Sequence, residues 1–198
     1  MNTLKLRVLL FVYAETPVMF MILPERPKDR AAVETLLDDV FGAIRQNKAS
    51  YAYRDENHPE PGLFFIARCG ERLVGTIRFW PVSLGHSATP TLLLGPLGVA
   101  PDMRNYGIGR GLILRGHMMA EQMGYKLLLL VGDEAYYSRF GYVPASPHGL
   151  VMAGEDPTRL LVHELGNDAL QGASGQVKAG DCLRPGVIGS GITHQASC

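Results

Sequence analysis

The hydrophobic positions of the chain alternate between the helical and the strand period, and this alternation predicts a mixed α/β fold. From 30 to 47 the apolar residues recur at three- and four-residue spacing, as in an amphipathic helix capped by Asp29. A second helical pattern runs from the glycines at 107–111 to a stop at Gly124, and a short one ends at Gly141. Strand patterns occupy 63–69, 73–82, 91–99 and 125–131, followed by a last hairpin of 151–153 with 160–165.

The order of these elements predicts a single sheet with one parallel connection. The runs 63–69 and 73–82 flank a short turn and form an antiparallel hairpin. The strands 91–99 and 125–131 are separated by a helix, and such a crossover joins parallel neighbours. With 198 residues and no internal repeat, the chain suits one domain with a substantial core.

Both ends of the chain differ from this pattern. Residues 1–18 contain a short apolar run that is too short to span a membrane and is interrupted by Glu15 and Pro17. We interpret these residues as an extension outside the fold, with a cleaved signal peptide as the alternative. The domain is expected to cover 19–178, and the segment 179–198, which has little apolar content, is expected to be disordered.

Composition narrows the expected partners. Lys and Arg number 19 and Asp and Glu also number 19, with no block of like charge. Nucleic acid and an anionic membrane surface are therefore not expected as main partners. The three cysteines are scattered and lack metal-ligand spacing, so we expect reduced thiols in a cytoplasmic protein and no bound metal.

The stretch from Leu97 to Gly111 carries the chemistry of the chain. An apolar strand ends, a loop follows, and three glycines at alternate positions open a helix whose unpaired N–H groups can hold an anion. Arg104 and Arg110 add positive charge on either side. The stretch has neither the Gly-Lys-Ser/Thr of a Walker loop nor the spacing of a dinucleotide-binding fingerprint. It therefore predicts a strand–loop–helix unit that holds a different phosphate group.

A known superfamily has this pattern. Arg104, Gly107 and Gly109 form Arg-x-x-Gly-x-Gly, which resembles the pyrophosphate-binding signature of the GNAT superfamily of acetyl-CoA-dependent N-acetyltransferases. The segments Val131–Tyr142 and Glu164–Gly175 are similar to the YhbS-like branch of that superfamily. The resemblance implies the GNAT fold, a mixed central sheet flanked by helices in which the fourth strand is bulged and splayed. It also implies acetyl-CoA as the acyl donor.

The resemblance places the donor along the fourth strand and the glycine loop. Gly95, Pro96 and Gly98 interrupt the 91–99 run, which favours a bulge that lets pantetheine approach the backbone. The backbone amides of the loop would hold the pyrophosphate. The expected cofactor-binding residues are Leu97, Gly98, Val99, Arg104, Tyr106, Gly107, Ile108, Gly109, Arg110 and Gly111.

The same resemblance places Tyr137 near the cofactor sulfur as a general acid. A phenol with a pKa of about 10 can donate a proton to the departing thiolate at neutral pH. An alternative is that Tyr137 only packs over the pantetheine. Glu134 is a candidate base, whereas Asp133 fits a helix cap, Tyr136 a packing residue and His117 a solvated helix surface.

The implied function is transfer of an acetyl group from acetyl-CoA to a primary amine by direct attack in a ternary complex. The alternative is a non-catalytic sensor or regulatory module that binds CoA or acyl-CoA. The acceptor is expected to be a small-molecule amine or a protein amine. For the oligomeric state, a homodimer is one of the alternatives. We expect the segments 49–62 and 143–149 to set acceptor specificity.

Overall fold

The computed structural model describes residues 18–43, 45, 49–55, 59–85, 87–180 and 185. The expected N-terminal extension lies outside this part of the chain except for Val18. Of the expected tail, only 179, 180 and 185 fall within it, and the last strand ends at Ala179. Across the described residues, no helix has the length and apolar content needed to cross a membrane.

The described residues form four α-helices and nine strands. The helices are α1 (Arg30–Phe41), α2 (Ala49–Asp55), α3 (Ile108–Gln122) and α4 (Glu134–Tyr137). The strands are β1 (Met21–Pro24), β2 (Phe64–Cys69), β3 (Arg72–Leu84), β4 (Ser87–Val99), β5 (Leu127–Val131), β6 (Val143–Pro144), β7 (Leu150–Val151), β8 (Leu160–Glu164) and β9 (Gly175–Ala179). Short 3₁₀ turns precede α1 and follow α4.

The strands form a mixed sheet in the order β1-β2-β3-β4-β5-β8-β6. β2 and β3 form the predicted antiparallel hairpin. β4 and β5 run parallel and are joined through α3, which confirms the predicted crossover. β9 pairs with the end of β3 at Val82–Leu84 and with β7.

The last predicted hairpin is wrong. β7 pairs in parallel with β9, whereas β8 lies between β5 and β6 and is antiparallel to both. Leu160, Leu161 and Val162 of β8 are all buried. Consecutive buried residues indicate a strand that is covered on both faces inside a sheet, and not one arm of an exposed hairpin.

Helix α1 is shorter than predicted and begins differently. It ends at Phe41, before Gly42 with a φ of 79°, and does not continue to 47. The Asp29 side chain does not cap it, because the chain already turns in a 3₁₀ segment there. Its carboxylate accepts the backbone N–H of Arg26 at 3.0 Å and pairs with Arg68 at 2.7 Å. Asp29 therefore ties the start of α1 to β2.

α1 and α3 cover opposite faces of the sheet. α3 lies against Gly75 of β3, where an added Cβ would be 2.8 Å from a side chain of α3. α1 lies against Gly98 of β4, which pairs with Thr76, the next residue of β3. Successive residues of a strand face opposite sides, so Thr76, Arg78 and Trp80 face α1.

β4 carries the predicted bulge. Ile77 of β3 pairs with Leu97, and Phe79 pairs with Leu94. β4 therefore has one more residue than β3 between these two pairs, as a bulge requires. The extra residue falls within the Gly95-Pro96 step that the sequence pattern indicated.

The bulge is held by a side chain and lies just beyond the point where β4 and β5 separate. The carbonyl of Gly95 accepts the indole N–H of Trp80 at 2.6 Å in a buried hydrogen bond. β4 pairs with β5 only over Thr91–Leu93. Beyond that point the two strands no longer pair, which confirms the predicted splayed fourth strand.

Candidate functional site

The start of α3 presents a row of unpaired backbone donors. Gly107 is the N-cap with a φ of 80°, and the N–H of Gly111 donates to its carbonyl at 2.9 Å. The N–H groups of 107–110 have no acceptor within the described part of the chain. Arg104 and Arg110 are exposed beside them. Free N–H groups at a helix N-terminus together with nearby positive charge form an anion site.

The predicted loop residues contribute to this site in different ways. Tyr106 is exposed beside the free donors. Ile108 is only 1% exposed, so its side chain belongs to the core and its backbone alone faces the site. Gly111 already uses its N–H inside the helix, and a Cβ there would lie 2.9 Å from the side chain of Ile22. Gly111 therefore allows α3 to pack close to β1.

The register of β4 turns two predicted residues toward the gap between β4 and β5. The N–H of Ala100 donates to the carbonyl of Val74 at 2.9 Å, so this residue faces β3. Backbone groups alternate in direction along an antiparallel strand, so Gly98 also faces β3. Leu97 and Val99 consequently direct their N–H and C=O groups toward the side on which β5 no longer pairs. Gly98 does not offer its backbone to the gap.

A cavity of about 250 Å³ lies where β4 and β5 separate. β4 contributes Leu94–Leu97 to its wall, β5 and the next residues contribute Leu130–Asp133, and Tyr137 of α4 lies beside them. The remaining lining residues come from the region of α1 and α2 and from the loop before β8: Phe41, Arg45, Ser50, Tyr51, Arg54, Glu155 and Arg159. Residues from distant parts of the chain therefore line one cavity beside the gap between β4 and β5.

Tyr137 lies against the backbone that follows β5. A Cβ on Gly132 would be 2.5 Å from the Tyr137 ring, so only glycine leaves room for it. Burial and, secondarily, the neighbouring Tyr136 raise the pKa of Tyr137 above its usual value. The phenol therefore keeps its proton at neutral pH. Tyr136 packs toward α3, with its hydroxyl 3.0 Å from the position of a Cβ on Gly109.

The carboxylates near Tyr137 occupy different positions. Asp133 caps α4, as expected, by accepting a backbone N–H at 3.0 Å. Glu134 is exposed and does not line the cavity. Glu155 does line it, and one of its oxygens accepts the N–H of Ser50 at 2.7 Å. The sequence around Glu155 indicates only a turn, so its place in the cavity could not be predicted. Among the described residues, no three His, Cys, Asp or Glu side chains group as metal ligands would.

A cluster of aromatic rings around the buried Tyr142 packs against Tyr137. His117, expected on a solvated surface, shares a hydrogen bond with the Tyr142 hydroxyl at 3.0 Å and stacks on His163 with ring centroids 4.8 Å apart. Burial and then the charge of His163 lower the pKa of His117 to about 4. The expected solvated surface is wrong, because this face of α3 packs against Tyr142. The Tyr142 ring in turn meets the Tyr137 ring edge-on at 5.8 Å.

A larger cavity of about 1100 Å³ lies on the face of the sheet that α1 covers. It shares Arg45, Tyr51, Arg54 and Pro96 with the smaller cavity, so the two cavities adjoin at the bulge. A Cβ on Gly95 would lie 2.8 Å from the Arg54 guanidinium, which places this group at the junction. The other described lining residues are Glu25, Arg26, Pro27, Arg30, Glu34, Pro59, Gly62, Phe64, Arg78 and Trp80.

Two buried arginines of the larger cavity are paired with carboxylates. Arg78 donates to both oxygens of Glu25, at 2.6 and 2.9 Å, and to Glu34 at 2.8 Å. Arg45 donates to Glu34 at 2.6 Å and to Asp38 at 2.8 Å. Burial opposes ionisation of Glu34, but hydrogen bonds from Arg78 and Arg45 lower its pKa overall. This network joins β1, α1 and β3 around the cavity wall.

Comparison with known proteins agrees with this fold. Residues 60–144 match the family model for the acetyltransferase (GNAT) domain. Over 159 residues, the chain is 29% identical to a protein of Escherichia coli K12 named uncharacterized N-acetyltransferase YhbS, covering 80% of this chain and 95% of the relative. The crystal structure of Escherichia coli YhbS in complex with CoA superposes with a TM-score of 0.71 at 28% identity, covering 82% and 91% of the two chains.

A second structure shows the same fold at lower identity. A GNAT family acetyltransferase from Brucella melitensis, solved with acetyl-CoA, gives a TM-score of 0.63 at 24% identity and covers 83% of this chain and 98% of its own. The splayed β4 and the glycine-rich start of α3 are thus part of a fold that this chain shares with both structures. Residues 60–144 thus match the GNAT acetyltransferase domain, and the chain has the GNAT fold.

Proposed function

We propose that the protein transfers an acetyl group from acetyl-CoA to a primary amine by direct attack within a ternary complex. The observation that carries the proposal is a half-buried phenol, Tyr137, in the cavity where β4 and β5 separate. A protein that only bound CoA would need the helix start and the gap. It would not need a proton donor between the same two strands.

The described residues fit CoA, with which the Escherichia coli relative was solved. The free N–H groups at 107–110 would hold the pyrophosphate, and Arg104 and Arg110 would add positive charge. The backbone groups of Leu97 and Val99, turned toward the gap, would pair with the amides of the pantetheine arm. These contacts would align the thioester with the cavity that Tyr137 lines.

Tyr137 would assist the chemistry as a general acid. Bound acetyl-CoA supplies a thioester. The amine forms a bond to its carbonyl carbon, and the carbon–sulfur bond breaks. The Tyr137 hydroxyl would donate its proton to the departing sulfur and regain one from solvent. Its raised pKa keeps the phenol protonated until the sulfur leaves.

The amine must also lose a proton, and two carboxylates are candidates for accepting it. Glu134 adjoins the strand end but is exposed outside the cavity. Glu155 lines the cavity with Tyr137, and its second oxygen has no partner among the described residues. We therefore favour Glu155 over Glu134 as the group that accepts the amine proton, directly or through water.

Replacing Gly132 by alanine is expected to lower kcat about tenfold or more, because the new methyl group would displace the Tyr137 ring. Steady-state release of free CoA thiol measures this loss. Gly166→Ala is the control, since a Cβ there would meet only the flexible side chain of Lys126. Equal rates in the two variants would contradict the placement of Tyr137 in the reaction.

Replacing Arg104 or Arg110 by glutamine is expected to raise the KM for acetyl-CoA about tenfold with a smaller change in kcat, because each supplies charge to the phosphate site. Initial rates at varied acetyl-CoA concentration test this. Lys178→Gln removes one charge from an exposed position of β9 and serves as the control. A KM that stays at the wild-type value in both loop variants would argue against pyrophosphate at this helix start.

Initial-rate kinetics test the ternary complex itself. Acetyl-CoA and an amine are varied together, and thiol release is measured. Direct attack gives intersecting double-reciprocal lines and no acetylated protein when the amine is left out. Parallel lines together with an acetylated protein would replace the proposal with a covalent mechanism.

A further inference from the structure

We infer that the acceptor is a small amine that carries a carboxylate, as an amino acid does, and that Arg26 and Arg30 bind this carboxylate at the larger cavity. The inference rests on the proposed function, since it names the substrate class of the same site. It is carried by the charges that line the cavity of about 1100 Å³ on the α1 face of the sheet.

Among the described residues, the two carboxylates that line this cavity, those of Glu25 and Glu34, already form ion pairs with arginines. Both oxygens of Glu25 accept hydrogen bonds from Arg78. The two oxygens of Glu34 accept from Arg78 and Arg45, one each. A cationic acceptor would have to displace one of these buried arginines, which leaves an unpaired buried charge. Recognition of a second cation by these carboxylates is therefore unfavourable.

Two positive charges at the same cavity remain available. Arg26 and Arg30 line it, are exposed, and form no ion pair with any of the described residues. They lie at the start of α1 and just before it, on one side of the cavity. A guanidinium group binds a carboxylate through two parallel hydrogen bonds, so this pair matches an anionic end of the acceptor.

The arrangement of the two cavities would direct the amine of a bound acceptor toward the thioester. The larger cavity meets the smaller one at Pro96, next to the bulge. An acceptor held by its carboxylate at Arg26 and Arg30 would extend toward this junction. The guanidinium of Arg54 lies there beside Gly95. A nearby positive charge favours the neutral form of an amine, which is the form that attacks.

The inference is tested with pairs of acceptors that carry or lack the carboxylate. A panel of α- and ω-amino acids is compared with the matching carboxamides, using acetyl-CoA and the full chain. Wild-type protein is expected to favour the acids at least about tenfold in kcat/KM. Arg26→Gln and Arg30→Gln are each expected to raise the KM for the acids about tenfold and to leave the KM for acetyl-CoA unchanged. Lys28→Gln, on the same segment but not in the cavity wall, should change neither.

Binding without turnover separates this inference from the proposed function. The same amino acids are titrated into protein saturated with CoA, and their binding is followed by ligand-observed NMR. Acids that bind and lose affinity in both arginine variants, but are never acetylated, would uphold the anion site and contradict the proposed function. Turnover of carboxamides as fast as acids, or equal losses for both in Arg26→Gln and Arg30→Gln, would overturn the inference and leave the transferase intact.

Discussion

Replacing Tyr137 by phenylalanine is expected to lower kcat about a hundredfold and to leave the KM for acetyl-CoA within about twofold. The substitution removes only the hydroxyl, so the ring keeps its place against Gly132 and its contact with Tyr142. The loss should therefore reflect the missing proton donor and not a rearranged site. Steady-state thiol release with a reactive amine gives both constants.

The neighbouring tyrosine provides a matched control. Tyr136→Phe removes the same hydroxyl from a ring 4.9 Å away that packs toward α3. It is expected to keep kcat within about threefold of wild type, since a packing ring loses little with its hydroxyl. If Tyr137→Phe were as active as Tyr136→Phe, Tyr137 would only cover the pantetheine arm and another group would supply the proton.

Replacing Arg78 by leucine is expected to lower the free energy of unfolding by about 3 kcal/mol or more. Arg78 is buried and contacts three oxygens of Glu25 and Glu34, so its loss leaves Glu25 in the cavity wall without its ion-pair partner and Glu34 with Arg45 alone. Urea unfolding followed by circular dichroism measures the change. Arg72→Leu breaks an exposed pair with Asp102 and should cost far less. Similar losses of unfolding free energy in the two variants would show that burial of the ion-pair network does not contribute to stability.

The same network gives a pH dependence of defined sign. Hydrogen bonds from Arg78 and Arg45 lower the pKa of Glu34 in the folded protein, against the effect of burial. This carboxylate thus contributes stability above its ordinary pKa of 4.5, and the contribution is lost as the pH falls through the lower folded value. Urea midpoints between about pH 3 and pH 6 should fall less steeply with acid in Arg78→Leu than in wild type. Parallel curves would contradict the coupling.

Local signals in the sequence were enough to predict the strand–loop–helix unit to which we assign the acyl donor. The apolar run before Pro101 and the alternate glycines after Arg104 lie within one strand–loop–helix unit, so neighbouring residues decide its shape. The bulge was also predictable, because Gly95 and Pro96 interrupt a strand where a regular ladder cannot continue. The structure confirms both features.

The cavities to which we assign the acceptor could not be predicted, because they depend on contacts between distant parts of the chain. Arg78 and Glu25 are separated by 53 positions, and Ser50 and Glu155 by 105. Nothing in the sequence near either partner indicates that the two will meet. His117 shows the same limit, since its burial depends on Tyr142, 25 positions away. Patterns within one element predict periodicity and turns, but not which charged side chains share a cavity.

The most direct test of the proposed acetyl transfer measures both products of one reaction. Wild-type protein is incubated with acetyl-CoA and an amino acid, and mass spectrometry quantifies free CoA and the N-acetylated amine. We expect the two products in equal amounts, none of either without the amine, and almost none with Tyr137→Phe. Tight binding of CoA with no N-acetylated product from any amine would contradict the account and identify the protein as a non-catalytic CoA-binding module.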